Sequence, residues 1–339
     1  MQLSVTEREQ LYAILEKYDQ NPKVQQMREF IQHGDVTTYQ HCKNVVLVSC
    51  WLNHRLHLGA DETSLAVGAF LHDFYLYDWH KKGTFHGIRR LFDIANEIPD
   101  VISLGVGEPD FDTPWHIREE GIYSLHKGRT FYTSNAGLIE LREEIGRFMK
   151  RKYDLTYDPK HEMILTVGGS EAIDIALRAI LNPGDEVIYP EPCFVSYEPC
   201  ILLSDGVPVS IELSAATEFR LQPEQLEAAI TPKTKALLIS YPNNPTGAIM
   251  EREDLEKLVP IIVKHDLLVI SDEIYSELSY KDRHVSIASL PGMLERTIVI
   301  NGFSKSYAMT GWRLGFACGP AHIMEYMLKI HQVGIMSAP

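Results

Sequence analysis

Hydrophobic residues recur with helical spacing in roughly the first quarter of the chain, up to about Gly87. Thr6 and Glu9 fit a capping box that opens a first helix. A second helix is predicted over about residues 39–58, and a third over about residues 61–73. This part of the chain is therefore predicted to be all α-helical.

After Gly87 the pattern changes, and short apolar runs alternate with helical stretches. The runs MILTV, EVIYP, KALLISYP, DLLVISDEIY and RTIVINGFS have the length of buried strands. Helices are predicted over residues 170–181 and 251–265. This alternation is typical of an α/β fold with a mainly parallel sheet. The polar segment WHKKGTFHG separates the two patterns, so we expect domains at residues 1–87 and 88–339.

Composition narrows the class of protein. Hydrophobic residues make up 45% and charged residues 23% of the 339 residues, as in a globular domain. The net charge of -14 argues against nucleic acid as a partner. We find no secretory signal and no apolar run long enough to span a membrane. The five scattered cysteines favour reduced thiols and a cytoplasmic protein.

Two motifs after Gly87 have the chemistry of phosphate and aldehyde binding. VGGSEA at residues 167–172 follows an apolar run and opens a helix, so its backbone N–H groups could approach a phosphate; the alternative is a tight turn. SKSYAMTGWRLG at residues 304–315 places Lys305 and Arg313 between apolar runs. A buried Lys can attack an aldehyde and an Arg can hold a phosphate; the alternative is a surface loop.

Two further motifs each follow a predicted strand. YPNNPTG at residues 241–247 puts Asn244 where ligands bind in open α/β sheets, although these residues also favour simple turns. SDEIY at residues 271–275 puts Asp272 and Tyr275 at a strand end. A carboxylate there could keep a pyridine nitrogen protonated; the alternative is an acidic strand cap.

These four motifs, taken in their order along the chain, resemble the class I and II aminotransferases, enzymes of pyridoxal 5'-phosphate (PLP) fold type I. The resemblance covers about residues 88–339. It implies the large domain of that fold with an N-terminal arm, and PLP as cofactor. It also implies an enzyme that moves an amino group from an amino acid to a 2-oxo acid.

The resemblance also implies roles for individual residues. Lys305 matches the lysine that carries PLP, and Asp272 the acid that pairs with the pyridine nitrogen. Tyr275 and Asn244 match the pair at the phenolic oxygen, and Asn244 also faces the substrate. The catalytic residues are then Lys305, Asp272 and Tyr275.

The other implied cofactor residues surround the ring and the phosphate. Phe194 matches the aromatic side chain that stacks on the ring. Tyr132 matches a tyrosine that reaches the phosphate of a second subunit, which implies a homodimer. Gly107 matches backbone that meets the substrate. The phosphate-binding turn is implied at Gly169, Ser170 and Glu171, completed by Ser304 and Arg313.

Two departures from the family pattern change the expectation. The family continues beyond the SKxxxxxGWRxG segment into a small C-terminal domain, which we expect to be mostly missing here. In the family, the arginine that binds the substrate carboxylate belongs to that domain, so we expect no residue of this sequence to take that role. The first 87 residues instead resemble the start of an HD-domain phosphohydrolase, through His41 and the pair His72 and Asp73. That family binds a divalent metal through such residues.

Four interpretations follow, and the first is preferred. The chain is an amino-acid aminotransferase, or another PLP enzyme of fold type I such as a C–S lyase. It could also be an inactive fusion of two partial domains, or a metal-dependent phosphohydrolase with His41, His72 and Asp73 as ligands. The sequence does not identify the amino acid.

Overall fold

The computed structural model describes residues 3–29, 31–33, 36–56, 61–71, 107–280 and 283–339. The chain divides into two compact units, Met1–Val106 and Gly107–Pro339. The predicted domain boundary near Gly87 lies outside the described residues.

The first unit is mainly helical, as its apolar pattern predicts. Its helices pack around a core that includes Leu11, Leu15, Val46 and Phe70. A short antiparallel pair of strands was not predicted. The elements are α1 (Val5–Asp19), α2 (Pro22–Gln26), β1 (Ile31–His33), β2 (Val36–Thr37), α3 (Thr38–Leu56) and α4 (Glu62–Leu71).

The predicted capping box of α1 was wrong by two residues. The Ser4 hydroxyl accepts a hydrogen bond from the Glu7 N–H at 3.3 Å, and the Glu7 carboxylate accepts one from the Ser4 N–H at 2.7 Å. A capping box satisfies the free N–H groups of a helix's first turn, so its serine must directly precede the first helical residue. Because α1 begins at Val5, Ser4 takes that place.

The second unit contains one seven-stranded sheet with the order β3-β9-β8-β7-β6-β4-β5. β9 runs antiparallel to β3 and β8, and the other neighbouring pairs are parallel. The carboxyl ends of every strand except β9 therefore meet at one edge. The strands are β3 (Met163–Thr166), β4 (Glu186–Glu191), β5 (Val207–Glu212), β6 (Thr234–Ser240), β7 (Leu268–Asp272), β8 (Thr297–Gly302) and β9 (Gly315–Cys318).

Helices cover both faces of this sheet. Successive residues of a strand point to opposite faces, and in β6 Leu238 packs in one core cluster while Leu237 and Ile239 pack in the other. The second-unit helices are α5 (Trp115–His126), α6 (Ile139–Tyr153), α7 (Gly168–Ile180), α8 (Tyr197–Leu203), α9 (Pro223–Ala229), α10 (Arg252–Lys264) and α11 (Ala321–Gly334).

The two core clusters contain different helices. Ile173 of α7 and Met327 of α11 belong to the first, and Leu258 of α10 to the second. The predicted α/β class with a mainly parallel sheet is confirmed, and the antiparallel β9, which was not predicted, makes the sheet mixed. The helices predicted over 170–181 and 251–265 correspond to α7 and α10, within two residues at each end.

Candidate functional site

One cavity lies at the edge of the sheet where the strand carboxyl ends meet. Asp272 is the last residue of β7, Asn244 follows β6, and Lys305 follows β8. The turn between β3 and α7 reaches the same edge. The residues that line this cavity are Gly169, Ser170, Ile173, Phe194, Tyr197, Ser240, Asn244, Asp272, Ile274, Tyr275, Ser304, Lys305, Thr310 and Arg313.

Most residues that the sequence assigned to a cofactor line this cavity, and two do not. The Glu171 side chain instead forms hydrogen bonds with the His331 side chain and the Val167 N–H. Tyr132 is 83% exposed to solvent. The Gly107 carbonyl oxygen accepts a hydrogen bond from the Lys305 Nζ, which brings the predicted substrate-facing backbone to the site.

Asp272 is a buried carboxylate, only 5% exposed, at the wall of the cavity. Its Oδ2 accepts a hydrogen bond from the Tyr197 hydroxyl at 2.7 Å, and its Oδ1 one from the Ile274 N–H at 3.2 Å. Burial raises the pKa of Asp272, and these hydrogen bonds offset part of the rise. A buried carboxylate of this kind is stabilised by a cationic nitrogen placed opposite it.

Lys305 is the amine of the cavity. Burial lowers the pKa of Lys305, the Glu108 carboxylate opposes that shift, and the Arg313 cation adds to it. The Lys305 Nζ lies 5.5 Å from the ring centroid of Tyr275. A lysine with a lowered pKa presents a larger fraction of neutral amine, which is the nucleophilic form.

Asn244 and Tyr275 form a polar pair on the same wall. The Asn244 Nδ2 donates to the Tyr275 hydroxyl at 3.4 Å. Burial raises the pKa of Tyr275, as does the nearby Asp272 carboxylate, and the Asn244 hydrogen bond opposes the rise. The pair can therefore donate hydrogen bonds to an oxygen that develops negative charge.

The turn before α7 is built around the Arg313 side chain. Gly168 has φ +76, and a Cβ atom there would collide with the Arg313 guanidinium. The Arg313 Nη2 lies 3.5 Å from the Val167 carbonyl oxygen, and its Nη1 donates to the Thr310 carbonyl at 3.1 Å. Together with the first N–H groups of α7, this cation makes the turn suitable for a phosphate.

The sequence reasoning missed Tyr197 and the contact that holds the Lys305 loop. Tyr197 is three residues after Phe194, and the ring centroids lie 5.7 Å apart. The Thr113 hydroxyl donates to the Ala308 carbonyl at 2.5 Å and accepts from the Trp312 indole N–H at 3.2 Å. The spacing FVSY at residues 194–197 was the only local signal for Tyr197.

The arrangement fits PLP at each of its polar groups. A buried acid, a lysine with a lowered pKa, a polar pair and the turn before α7 with its neighbouring arginine line a single cavity. The φ of +76 at Gly168 is a backbone conformation that L side chains rarely adopt, which accounts for glycine at this position of the turn. Residues that could hold the phosphate are Ser170, Ser304 and Arg313.

The predicted metal site stays a prediction. His41 lies in α3, whereas His72 and Asp73 lie outside the described residues. Within residues 3–71 and 107–339, wherever the structure describes them, no cluster of three or more His, Cys, Asp or Glu side chains could hold a metal ion. In the same ranges, no helix is both long and apolar enough to cross a membrane.

Comparison with known proteins gives consistent matches to one family. The family model "Aminotransferase class I and II" matches residues 99–339. An aminotransferase of Bacillus subtilis (strain 168) is 53% identical over 265 residues, which cover 78% of this chain and 69% of that protein. The aspartate aminotransferase of Pyrococcus abyssi is 51% identical over 243 residues, which cover 71% of this chain and 62% of that protein.

Solved structures agree with the sequence matches. The aromatic aminotransferase from Pyrococcus horikoshii OT3 superimposes with a TM-score of 0.69 at 48% identity, covering 73% of this chain and 67% of that one. The chain thus spans 62–69% of the length of these three relatives.

Proposed function

Because the chain belongs to the class I and II aminotransferases, we propose that it is a PLP-dependent enzyme that moves an amino group from an amino acid to a 2-oxo acid. The observation that carries this proposal is the meeting of Lys305 and Asp272 in one cavity. Burial alters the pKa of both groups, lowering that of the amine and raising that of the acid. Such perturbed pairs cluster at catalytic sites.

Lys305 moves the proton in this proposal. PLP, when bound, supplies an electron sink that makes the amino-acid Cα–H acidic. The lowered pKa of Lys305 increases the fraction of neutral amine that can take that proton. The Gly107 carbonyl, which accepts a hydrogen bond from the Nζ, orients the amine within the cavity.

The other side chains hold and orient the cofactor. Asp272 keeps a proton on the ring nitrogen, because a buried carboxylate opposite that nitrogen favours its cationic form. Asn244 and Tyr275 donate to the phenolic oxygen. Phe194 would pack on the ring, and Ser170, Ser304 and Arg313 would hold the phosphate, since all four line the cavity.

We also propose that the chain acts as a homodimer. Phe131 and Tyr132 are 87% and 83% exposed, and α5 has no buried residue although it carries Trp115 and Tyr123. Apolar surface of this extent is typical of an interaction site. Light scattering should give twice the mass of the chain, and a stable monomer at micromolar concentration would contradict the proposal.

The amino transfer can be tested with isotopic label. The curated relatives named above include an aspartate aminotransferase, and the solved one is an aromatic aminotransferase. We would therefore supply PLP, ¹⁵N-aspartate or ¹⁵N-phenylalanine, and 2-oxoglutarate, and measure ¹⁵N-glutamate by mass spectrometry.

We expect label transfer in the wild type and none in Lys305→Ala. Lys329→Ala is the matched control, because Lys329 is on the surface and paired with Glu325 at 2.7 Å. Release of a thiol from a sulfur amino acid, without label transfer, would instead indicate a C–S lyase. Label transfer that survives in Lys305→Ala would contradict the proposed role of this lysine.

A further inference from the structure

A buried histidine of α11 contacts the turn that we propose binds phosphate. The His331 side chain is 0% exposed, and its Nδ1 lies 2.6 Å from Oε1 of Glu171. Glu171 is in the first turn of α7, and its side chain is 11% exposed. Within the described part of the chain, the His331 Nε2 has no hydrogen-bonding partner. Glu171 is therefore the group that fixes the orientation of this imidazole.

The second oxygen of Glu171 extends the contact to the turn itself. Its Oε2 accepts a hydrogen bond from the Val167 N–H at 2.5 Å. Val167 is the N-cap residue of α7, and no side chain caps this helix in the usual way. Glu171 thus satisfies a backbone N–H that would otherwise lack a partner at the start of the helix.

The carbonyl group of Val167 contacts the Arg313 side chain. The Val167 carbonyl oxygen lies 3.5 Å from the Arg313 Nη2. Contacts therefore run from His331 through Glu171 and Val167 to Arg313, the cation that faces the cavity. The Glu171 carboxylate makes the two short contacts of this series, and hydrogen bonds to charged groups are stronger than those between neutral groups.

His331 is held in place by backbone hydrogen bonds and by the packing of its helix. His331 lies in the last turn of α11, and its carbonyl oxygen accepts from the N–H groups of Ile335 and Met336 at 2.8 and 3.0 Å. Met324 and Met327 of α11 lie in the same core cluster as Ile173 of α7. A displacement of the imidazole would therefore act on the turn rather than be absorbed by the helix.

We propose that His331 is a positioning residue for the phosphate-binding turn, acting through Glu171 on the Val167 peptide and Arg313. This inference rests on the proposed PLP site. A histidine that merely filled the core would stabilise the fold without affecting one part of the cofactor more than another. His331 should instead affect the phosphate end of the cofactor and leave its aldehyde end unchanged.

The test compares two aldehydes, PLP and pyridoxal, which differ only in the phosphate. Their dissociation constants are measured from visible absorption with the 339-residue chain freed of cofactor. The ratio of the two constants reports on the phosphate contacts alone. Wild type should bind PLP far more tightly than pyridoxal.

His331→Leu should weaken PLP binding about tenfold and leave pyridoxal binding within about twofold. His331→Asn places an amide N–H where the Nδ1–H was, so it should restore most of the ratio. Glu171→Gln retains one acceptor oxygen and should weaken PLP binding less than His331→Leu does, again without affecting pyridoxal. This variant replaces His331→Leu in the test if His331→Leu does not fold. His322→Leu, on the exposed face of α11, should change neither constant.

If His331→Leu leaves the ratio of the two dissociation constants unchanged, whether both aldehydes bind equally more weakly or neither does, the inference is overturned. The proposed function would still stand. Failure of the wild type to bind either aldehyde would reject the proposed function itself, and this inference with it.

Discussion

The Tyr197 hydroxyl donates a hydrogen bond of 2.7 Å to Oδ2 of Asp272, and both side chains are buried at the wall of the cavity. Tyr197 begins α8, and Asp272 ends β7, so the bond joins elements that are 75 residues apart in sequence. The hydrogen bond lowers the pKa of Asp272 against the effect of burial. Tyr197 therefore helps to keep the acid ionised where the cofactor nitrogen would lie.

Replacing Tyr197 with Phe should weaken PLP binding by about tenfold, because Asp272 loses a donor and its charged form becomes less favourable. Equilibrium titration of the cofactor-free protein measures this change. Tyr241→Phe is the matched control, since the buried Tyr241 hydroxyl accepts from the Leu221 N–H and donates to the Phe219 carbonyl, away from Asp272. It should lose stability but not affinity. Equal loss of affinity in both variants would count against a specific role for Tyr197.

Asp272→Asn should stabilise the cofactor-free protein at pH 7, by on the order of 1 kcal/mol, because it removes a buried charge. Burial raises the pKa of Asp272 in the folded state. The contribution of this group to stability is therefore fully present below the ordinary aspartate pKa and is lost as pH rises through the raised value.

The advantage of Asp272→Asn should consequently shrink as the pH is lowered toward 4. Urea unfolding of both proteins at several pH values measures it. A variant that is less stable than wild type at pH 7, or an advantage independent of pH, would show that the carboxylate is not strained by burial. The same substitution should abolish tight PLP binding.

Lys305 should react with cyanate at a lower pH than the surface lysines, because burial lowers its pKa and the neutral amine is the reactive form. Peptide mapping by mass spectrometry gives the pH midpoint for each lysine. Lys329 is an internal reference, since its hydrogen bond to Glu325 raises its pKa. Glu108→Gln should move the Lys305 midpoint lower still, because the Glu108 carboxylate raises that pKa. A midpoint for Lys305 at or above that of Lys329 would contradict this account.

Gly315→Ala should damage the phosphate-binding turn, whereas Gly311→Ala in the same segment should not. A Cβ atom at Gly315 would lie 2.6 Å from the Gly168 carbonyl carbon, and backbone atoms cannot move aside as a flexible side chain can. A Cβ atom at Gly311 would meet nothing within 4 Å. Overpacking of this kind costs about 1–3 kcal/mol. The midpoint temperature of thermal unfolding and the affinity for PLP should both fall for Gly315→Ala and not for Gly311→Ala. Similar values for the two variants would refute the packing argument.

Local patterns predicted much of the fold and most of the cavity wall. The apolar runs indicated the parallel strands, and Asp272 and Lys305 could be placed near each other because both follow such strands. Helix boundaries came within two residues for α7 and α10. These features depend on residues close together in the chain.

Contacts between distant residues could not be predicted in the same way. The pair His331 and Glu171 spans 160 residues, and nothing near either position in the sequence indicates it. Tyr197 is similar, because its partner Asp272 is reached only once β7 and α8 have packed together. The error at α1 was smaller in scale, since Ser4 and Thr6 are both suitable caps and only the start of the helix decides between them.

Lys305 is the residue that we propose binds PLP, in the cavity beside Asp272. The most direct measurement is reduction of the PLP-treated protein with borohydride, followed by peptide mapping, with Lys305→Ala in parallel. We predict a visible absorption band that borohydride abolishes, and the cofactor's mass fixed on Lys305 in the wild type alone. A band and label of equal strength in Lys305→Ala, or no lysine-dependent label in the wild type, would contradict the account.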